Sequence, residues 1–439
     1  MNERVVSKLR PYQVEGAAFL RTRSFALLAD EMGLGKTVQA AVALQALAEQ
    51  GLLNRGIVVA PGFLLSNWQR ELRAWAPRIP TLKAQGSAED RRFQYRLPVK
   101  VLLVSYDHVR LDNLARLSNP FDVVVLDEAQ RIKNADSLTA LACRAIPRSR
   151  SWALTGTPVE NRSGDLVAIY QFLQPGLLHD GDTVGGLRKG VTGSFLRRTK
   201  AEVLKDLPPI LTQTLYLEME SVQRAAYQAA WLDAIGAMKY PTSMTDLFAV
   251  ITKLKQLCNF DPQSNLSAKL TALLLLIDSL SAPADKVLVF SQYVKTIEWL
   301  EARIPLPVGV LHGGMTGQER DYAIEHFSRS SGPRALLVSL KAGGVGLNLQ
   351  SASHVVLFDR WWNPSVEDQA VHRAHRFGRE VPLHVLQFVT RDSVEERIES
   401  ILGVKRGLVQ DLVEDVPGPA EAGLSRAELE EAIIRGGGE

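Results

Sequence analysis

Residues 123–130 read Val-Val-Val-Leu-Asp-Glu-Ala-Gln, an apolar run that ends in two carboxylates. A short apolar run of this kind is typical of a buried strand, and its acids then lie at the carboxyl end of the strand. Upstream, residues 30–37 read Asp-Glu-Met-Gly-Leu-Gly-Lys-Thr, a glycine-rich turn that closes in Lys-Thr. A phosphate-holding turn and an acid-capped strand are the minimal chemistry for binding a magnesium nucleotide and splitting it.

The composition is that of an ordinary globular protein. The chain has 439 residues, 46% hydrophobic and 23% charged, and its net charge of +3 neither requires nor excludes nucleic acid. Its two cysteines, Cys143 and Cys258, lack the CxxC spacing of a zinc site. The start has no signal-peptide core, and the longest apolar stretch, 270–277, is too short to span a bilayer. We therefore expect a cytoplasmic protein (nucleoid-associated if bacterial) with no membrane partner.

Two series of short apolar runs predict the fold class. In the first 160 residues, candidate strands alternate with segments of helical spacing such as 37–47, and the same rhythm resumes after residue 266. This alternation predicts an α/β protein with two tandem parallel-sheet lobes, whose ligands bind at the carboxyl ends of the strands. The candidate strands are 25–29, 56–60, 101–105, 121–126, 151–155, 286–290, 307–311, 335–339, 354–358 and 384–389.

The middle of the chain reads differently and separates the two lobes. A glycine-rich patch and a basic segment, 195–200, are followed by helical patterns. We predict a first, ATP-binding lobe over 1–220 and a small helical insertion over 221–265. A second lobe is predicted over 266–415, followed by a tail over 416–439 that contains a short helix with a capping-box start.

The glycine-rich turn carries the residues that we expect to hold phosphates. Gly33 and Gly35 let backbone N–H groups approach phosphate oxygens at the start of a helix. Lys36 would reach the β and γ phosphates, and the hydroxyl of Thr37 would bind Mg²⁺. The general pattern has glycine where this chain has Asp30. The alternative, a strand-to-helix turn without function, is disfavoured by the strand before it and the helix after it.

The two acids after the apolar run complete the predicted site. Asp127 can hold Mg²⁺ while Glu128 polarises the attacking water. A solvated turn is the alternative, and the presence of the Lys-Thr turn argues against it. The pair therefore predicts hydrolysis as well as binding.

Arg373 and Arg376 form a second candidate group, more than 200 residues further along the chain. Their three-residue spacing predicts that both guanidinium groups lie on one helical face. Arginines delivered from a second lobe can neutralise charge at the γ phosphate. The alternative is a solvated basic face of a helix. His372 and His375 share this segment but lack a third ligand, so we expect no metal site there.

Seven ordered motifs resemble those of the Swi/Snf-type ATPases of helicase superfamily two, and they cover nearly the whole chain. The resemblance implies two RecA-like lobes, and it makes Asp30 normal for this family's version of the phosphate loop. The family usually has His where Gln130 stands, and we expect Gln130 to keep a polar role in the catalytic site. The matching segments are 9–16, 30–37, 155–158, 289–293, 343–349, 359–364 and 369–376.

The resemblance also implies roles for individual residues. Gln13 would read the adenine base, and Thr155 and Thr157 would couple the nucleotide state to the position of the lobes. Mg²⁺ would be held by Thr37 and Asp127. The catalytic set would be Lys36, Asp127, Glu128, Gln130, Arg373 and Arg376. The other nucleotide contacts would be Asp30, Met32, Gly33, Leu34, Gly35, Lys36, Thr37 and Gly346.

Duplex DNA is the partner that the resemblance implies, tracked by closing and opening the two lobes around ATP. DNA contacts would be mostly to phosphates, and therefore independent of sequence and sensitive to salt. Each candidate could instead be a solvated charge or a core aromatic, and Trp361 and Trp362 are predicted to pack. The candidate contacts are Arg197, Arg198, Lys200, Asn67, Lys341 and Trp68.

Together these inferences predict a DNA-dependent ATPase that translocates along double-stranded DNA and remodels protein–DNA complexes. Two alternatives stay open: a strand-separating DNA or RNA helicase, and a non-hydrolysing, nucleotide-dependent DNA-binding scaffold. We expect ATP and Mg²⁺ as cofactors and a monomeric chain. We also expect a protein partner that supplies targeting, because a bare motor core leaves no room for a histone-reading or sequence-reading module.

Overall fold

The structure, a computed structural model, consists of two compact units. The first lies within Met1–Lys205, and the second within Asp206–Leu408 and Glu421–Glu439. Each unit is built around one parallel sheet, so the predicted α/β class with two tandem RecA-like lobes is confirmed. The described residues are 9–114, 119–156, 163–204, 207–238, 243–280, 285–329, 334–340, 349–361, 364–376, 379–401 and 426–437.

Seven parallel strands lie among the described residues of the first unit. They are β1 (Phe25–Leu28), β2 (Gly56–Ala60), β3 (Thr81–Lys83), β4 (Val101–Ser105), β5 (Val123–Asp127), β6 (Ser151–Leu154) and β7 (Phe195–Leu196). Their order in the sheet is β3-β4-β2-β5-β6-β1-β7. The carboxyl ends of β1, β6 and β5 are therefore neighbours, and ligands bind at such ends in sheets of this kind.

Helices cover both faces of this sheet, because successive strand residues point to opposite sides. Leu27 and Leu126 lie in one core, whereas Leu28 and Val125 lie in the other. The alanine-rich helix after β1 packs closely, with every residue from Gln39 to Leu47 buried. The helices are α1 (Pro11–Arg21), α2 (Lys36–Glu49), α3 (Leu65–Trp75), α4 (Ala88–Gln94), α5 (Tyr106–Asp112), α6 (Leu138–Arg144), α7 (Ser163–Leu173), α8 (Val184–Val191) and α9 (Lys200–Val203).

In the second unit, the part of the chain that the structure describes forms six parallel strands. They are β8 (Ile210–Leu217), β9 (Val287–Ser291), β10 (Val308–Leu311), β11 (Ala335–Ser339), β12 (His354–Leu357) and β13 (Leu383–Thr390). The sheet order is β10-β11-β9-β12-β13-β8. Here too the fully buried central strands, such as β9, read as continuous apolar runs.

Seven helices of the second unit can be bounded among the described residues. They are α10 (Ser221–Ala237), α11 (Met244–Asn259), α12 (Ala268–Ser279), α13 (Val294–Glu301), α14 (Gly317–Ser328), α15 (Pro364–Ala374) and α16 (Arg426–Ile434). The first two and the last share an apolar core. The hydroxyl of Tyr227 donates to the carbonyl of Gly436 (2.8 Å), and the indole of Trp231 donates to that of Ile433 (2.7 Å). The helix predicted in the tail therefore packs on the helices predicted as an insertion.

All of the predicted strands are present, each end within two residues of its predicted position. Three of the described strands, β3, β7 and β8, were not predicted. The last of these matters for the lobes: the first lobe was predicted to run to residue 220, but β8 pairs with β13 along its full length and belongs to the second sheet. Because β13 lies more than 160 residues further along the chain, the local sequence around β8 does not indicate this pairing. The predicted boundaries at 265 and 415 stay predictions. No helix among the described residues is long and apolar enough to cross a bilayer.

Candidate functional site

The turn after β1 can present backbone N–H groups to an anion. Gly33 and Gly35 have φ angles of 91° and 75°, a left-handed conformation that glycine adopts without strain. These residues let the chain reverse into α2, which begins at Lys36. The first N–H groups of a helix have no partner within it, so the start of α2 is suited to bind phosphate.

Lys36 lies over this turn, near the acids at the end of β5. Its Nζ donates to the carbonyl oxygens of Asp30 (2.7 Å) and Glu31 (3.4 Å). Burial lowers the pKa of Lys36, and the carboxylates of Glu128, Asp30 and Asp127 partly offset that shift. Phosphate oxygens are stronger partners for an ammonium than carbonyls are. Lys36 can therefore exchange its carbonyl partners for a bound phosphate.

The end of β6 lies against the same turn. An added Cβ at Gly156 would lie 2.5 Å from Met32 Cγ and 3.4 Å from Lys36 Nζ. The backbone N–H of Thr155 donates to the carbonyl of Leu28 (3.2 Å), which continues the pairing of β6 with β1. A side chain at 156 would therefore displace the Met32 side chain and crowd Lys36 Nζ.

Asp127 is buried at the end of β5, and both of its carboxylate oxygens accept hydrogen bonds. The indole N–H of Trp68 donates to Oδ2 (2.7 Å), and the backbone N–H of Glu128 donates to Oδ1 (3.0 Å). Burial and the charge of Glu128 raise the pKa of Asp127, whereas the Trp68 indole and the Lys36 ammonium oppose the rise. Each oxygen keeps a further lone pair, and Mg²⁺ prefers carboxylate oxygen. The donor set therefore fits the metal that the family resemblance implies.

Glu128 begins a chain of hydrogen bonds from β5 to β6. Its φ of 53° is a left-handed conformation, which costs energy for a glutamate, and strained residues of this kind cluster at functional sites. Gln130 donates from Nε2 to Glu128 Oε2 (2.7 Å) and accepts at Oε1 from the hydroxyl of Thr155 (2.7 Å). One side chain thus connects the predicted catalytic acid to the predicted coupling residue.

Gln13 reaches the phosphate loop from α1. Its Nε2 donates to the carbonyl of Leu34 (3.4 Å), and its Oε1 accepts from the backbone N–H of Arg10 (3.1 Å). An added Cβ at Gly35 would lie 2.7 Å from Gln13 Nε2. The side chain is therefore held beside the loop, where a nucleotide base could meet it. Recognition of adenine by Gln13 stays a prediction.

The basic segment after β7 differs from the prediction. Arg198 donates to both carboxylate oxygens of Asp30, at 3.0 and 2.6 Å, and Asp30 is fully buried. Lys200 is buried as well, with its Nζ 3.8 Å from Glu31 Oε1. DNA contacts at Arg198 and Lys200 conflict with this geometry, because acids of the phosphate loop engage both side chains. Arg197 is exposed and stays a candidate.

Trp68 was a candidate DNA contact, but it is fully buried beneath the site. Its position on α3 relative to Leu65 and Leu72 places it on the core face, a helical spacing that the sequence does carry. Its indole bond to Asp127 has no sequence signal, because α3 and β5 are far apart in the chain. Asn67 is partly exposed, accepts from Arg70 (2.5 Å), and stays a candidate for DNA.

The two arginines of the second unit flank the end of α15. Arg373 is buried in its last turn, but the helix ends at Ala374, two residues before Arg376. The prediction that both lie on one face of a helix is therefore wrong. The backbone turns away after His375, whose ring nitrogen bonds to the carbonyl of Pro208 (2.6 Å).

A buried ionic network, which was not predicted, holds the start of α15. The Arg360 guanidinium is fully buried and bonds to Glu367 in the first turns of α15, at 3.0 and 2.9 Å, and to Glu399. The preceding residue, Asp359, accepts from the Ser291 hydroxyl (2.5 Å) and from the backbone N–H of Gln292 (3.0 Å). Motifs 289–293 and 359–364 are thus joined, and α15 is anchored to both.

The first unit brings its predicted nucleotide residues to one edge of its sheet. The phosphate loop, Gln13, the two acids and Thr155 all lie around the carboxyl ends of β1, β6 and β5. Three predicted site residues lie outside the described residues, and their roles remain predictions. They are Thr157, Lys341 and Gly346.

A parallel sheet of this order, with a glycine-rich turn after one strand and paired acids after another, defines a RecA-like phosphate-loop unit, and a second parallel α/β unit follows it. The chain belongs to the SNF2-related family: residues 12–263 match the SNF2-related domain, and residues 268–378 match the helicase conserved C-terminal domain. The resemblance to Swi/Snf-type ATPases of helicase superfamily two is thereby confirmed.

Individual relatives span the same range of this chain. YwqA of Bacillus subtilis, provisionally named an ATP-dependent helicase/translocase, is 34% identical over 96% of this chain and 50% of its own length. The ISWI chromatin-remodeling complex ATPase ISW2 of Saccharomyces cerevisiae is 29% identical over 96% and 42%. A solved Sulfolobus solfataricus SWI2/SNF2 ATPase core in complex with dsDNA is 29% identical, with 97% of each chain covered and a TM-score of 0.45. The chain thus spans about half the length of the curated relatives it matches.

Proposed function

We propose that this chain is a DNA-dependent ATPase that translocates along double-stranded DNA and remodels protein–DNA complexes, driven by closure of its two lobes on Mg-ATP. The observation that carries the proposal is the convergence of Lys36, Asp127, Glu128, Gln130 and Thr155 at neighbouring strand ends of the first unit. Membership of the SNF2-related family supports the choice of duplex DNA.

The first lobe supplies the binding half of the reaction. The N–H groups at the start of α2 and the ammonium of Lys36 would hold the β and γ phosphates. Thr37 and Asp127 would hold Mg²⁺, which when bound withdraws negative charge from those phosphates. Trp68 keeps the Asp127 carboxylate in one orientation through its indole N–H.

Glu128 would act on the attacking water. Its carboxylate lies beyond the end of β5 and is held by Gln130, so it is oriented before the water arrives. A base that is held in place avoids reorganisation during reaction, which is where much of the catalytic effect of a preorganised site comes from. The hydrogen bond that Thr155 donates to Gln130 would make the orientation of this base depend on the position of the end of β6.

The second lobe would supply positive charge to the γ phosphate through Arg373 and Arg376. Such arginines stabilise the charge of the transition state and do little for the ground state. Hydrolysis would then require closure of the lobes, so that a domain motion gates the chemistry. That motion would move the grip on DNA.

DNA would be held through its phosphates. Arg197 and Asn67 are the described candidates with exposed or partly exposed side chains, and Lys341 stays a prediction. Contacts of this kind are independent of sequence and release counterions, so binding should weaken steeply with salt. A motor that moves along DNA of any sequence does not need contacts to the bases.

Hydrolysis rates with different nucleic acids test the proposal. We expect strong stimulation by duplex DNA, weak stimulation by single-stranded DNA or RNA, and ATP-dependent displacement of a triplex-forming strand. Lys36→Ala should abolish all three signals and serves as the control for contaminating ATPases. Best stimulation by single strands or RNA would instead favour a strand-separating helicase, and ATP binding without turnover would favour a scaffold. Raising salt should depress the DNA-stimulated rate far more than the basal rate.

A further inference from the structure

A buried ion pair holds the first residue of the phosphate loop. Asp30 lies two residues after the end of β1, and its side chain is fully buried. Arg198 donates from Nε to Asp30 Oδ1 (3.0 Å) and from Nη2 to Oδ2 (2.6 Å), a two-pronged contact that lysine cannot reproduce. Its Nη1 donates to the carbonyl of Tyr12 in the first turn of α1 (2.5 Å). One side chain therefore joins α1 to the phosphate loop.

Gln39 completes this cluster from the first turns of α2. Its Nε2 donates to Asp30 Oδ2 (3.0 Å) and to the carbonyl of Leu34 (3.1 Å), and its Oε1 accepts from Arg198 Nη2 (3.0 Å). An added Cβ at Gly16 of α1 would lie 1.7 Å from Gln39 Oε1, so the cluster needs glycine there. We call Asp30, Gln39 and Arg198 the clamp.

The clamp lies at the end of a row of backbone hydrogen bonds. The N–H groups of Leu27, Ala29 and Glu31 donate to the carbonyls of residues 194, 196 and 198, at 2.7, 2.7 and 2.9 Å. The Glu31 carboxylate then accepts from the backbone N–H of Lys200 (2.7 Å). Residues 194–200 therefore run beside β1 and the phosphate loop, and the next strand along the chain, β8, belongs to the second sheet.

The clamp is also connected to Lys36. The carbonyl of Asp30 accepts from Lys36 Nζ (2.7 Å), while the carboxylate of the same residue binds Arg198. A phosphate that draws Lys36 away from this carbonyl acts on the peptide between Asp30 and Glu31. That peptide carries the N–H that donates to the Arg198 carbonyl. Two routes therefore run from the phosphate-binding lysine to residues 194–200: this backbone hydrogen bond, and the Asp30 carboxylate with the Arg198 guanidinium that it binds.

We propose that Arg198 is a positioning residue that transmits the state of the phosphate loop to residues 194–203, through which the chain leaves the first lobe. This inference rests on the proposed function, because it takes a nucleotide phosphate as the ligand of the loop. A buried ion pair is often no more stabilising than well-packed apolar residues of the same volume, so stability alone does not account for the clamp. A coupling role does account for it, because Asp30 lies in the phosphate loop and Arg198 lies in residues 194–203, the two segments that would move together.

Hydrogen exchange of the full chain, with and without Mg²⁺ and a non-hydrolysable ATP analogue, tests the transmission. In the wild type, the nucleotide should slow exchange in residues 30–39 and also in residues 194–203. In Arg198→Ala it should still slow exchange in 30–39, while its effect on 194–203 should fall about tenfold. Undiminished protection of 194–203 in the variant would overturn the proposal. Absent protection of 30–39 in the wild type would instead overturn the proposed nucleotide site.

Kinetic constants separate positioning from a purely structural role. Arg198→Ala should raise the KM for ATP and reduce stimulation by duplex DNA, each by about tenfold. Arg198→Lys keeps the charge but loses the two-pronged contact, so it should recover only part of both. Asp30→Asn, which keeps the shape of the side chain, should reproduce the kinetic defect even if Arg198→Ala fails to fold.

Arg55→Ala is the matched control for lost stability. Arg55 donates to the carbonyls of Asn119 and Tyr95, both at 2.9 Å, at the amino end of the same sheet. Its removal should lower Tm and leave the KM for ATP and the DNA stimulation unchanged. If the Arg198 and Asp30 variants behave in the same way, with lower Tm and normal kinetic constants, Arg198 is structural and the proposal fails.

Discussion

The hydroxyl of Thr155 donates a 2.7 Å hydrogen bond to Gln130 Oε1, which links the end of β6 to the end of β5. The other end of the Gln130 amide donates to Glu128 at the same distance. A glutamine can do this because its amide is donor and acceptor at once. The residue that stands where the family usually has histidine thus keeps a bridging position between catalysis and the neighbouring strand.

Thr155→Val should uncouple the bridge with little change in side-chain shape. Thr155 is fully buried, and loss of its hydroxyl leaves Gln130 Oε1 without this donor, at a cost of about 1–3 kcal/mol. We expect DNA-stimulated hydrolysis to fall by about tenfold while ATP affinity, measured by equilibrium binding, stays unchanged. Thr155→Ser keeps the hydroxyl and should retain most of the activity. A valine variant with full DNA-stimulated turnover would show that the bridge is not functional.

Trp68→Phe should weaken the hold on magnesium. The variant keeps the buried ring but loses the indole N–H that donates to Asp127 Oδ2 at 2.7 Å, a bond to a charged group worth about 1.5–3 kcal/mol. The Mg²⁺ concentration that gives half-maximal nucleotide binding should therefore rise by on the order of tenfold.

Trp152→Phe is the control for the loss of a buried indole. Trp152 is also fully buried in this unit, but its indole N–H donates to the carbonyl of Arg23 (3.4 Å), near the start of β1. Its Mg²⁺ dependence should match the wild type even if its Tm falls. The same magnesium shift in both tryptophan variants would mean that core packing, and not orientation of the carboxylate, explains the effect.

The sheets and the core of the site are predictable because their signals are local. Apolar runs mark the buried parallel strands, and the end of β5 and the turn after β1 must lie at the carboxyl edge of the sheet. These local signals are enough to predict that Lys36, Asp127 and Glu128 lie close together. The side chains from other helices and strands that hydrogen-bond to these residues cannot be predicted from such local signals.

Arg197 and Arg198 show why the rest was not predictable. They are the same residue type at adjacent positions, yet Arg197 is exposed and Arg198 is bonded to Asp30, 168 residues away. The difference arises from the pairing of β7 with β1, which local composition does not encode. The same reason accounts for β8, whose partner is β13, and for Trp68, whose partner Asp127 is the last residue of β5.

Glu128→Gln should trap ATP in the bound state. The amide keeps the size of the carboxylate and can still bond to Gln130, but it cannot accept a proton from the attacking water. Turnover should fall by about 10²–10⁴-fold, while nucleotide affinity stays within a few-fold of the wild type. Glu89→Gln, an exposed glutamate in α4, serves as the matched control and should hydrolyse ATP normally. Rapid turnover by Glu128→Gln would remove Glu128 from the proposed mechanism.

Arg376→Ala tests the contribution of the second lobe, at a residue that lies just beyond the end of α15. Loss of an arginine that neutralises transition-state charge costs about 10³–10⁵-fold in turnover, with little effect on binding of the ground state. We therefore expect a rate reduced by orders of magnitude and an ATP affinity near that of the wild type. Arg391→Ala, at an exposed arginine of the same unit that lies over Tyr216, should leave both unchanged. A large loss of ATP affinity in Arg376→Ala, with residual turnover preserved, would assign the arginine to ground-state binding and would contradict the proposed gating of hydrolysis by the second lobe.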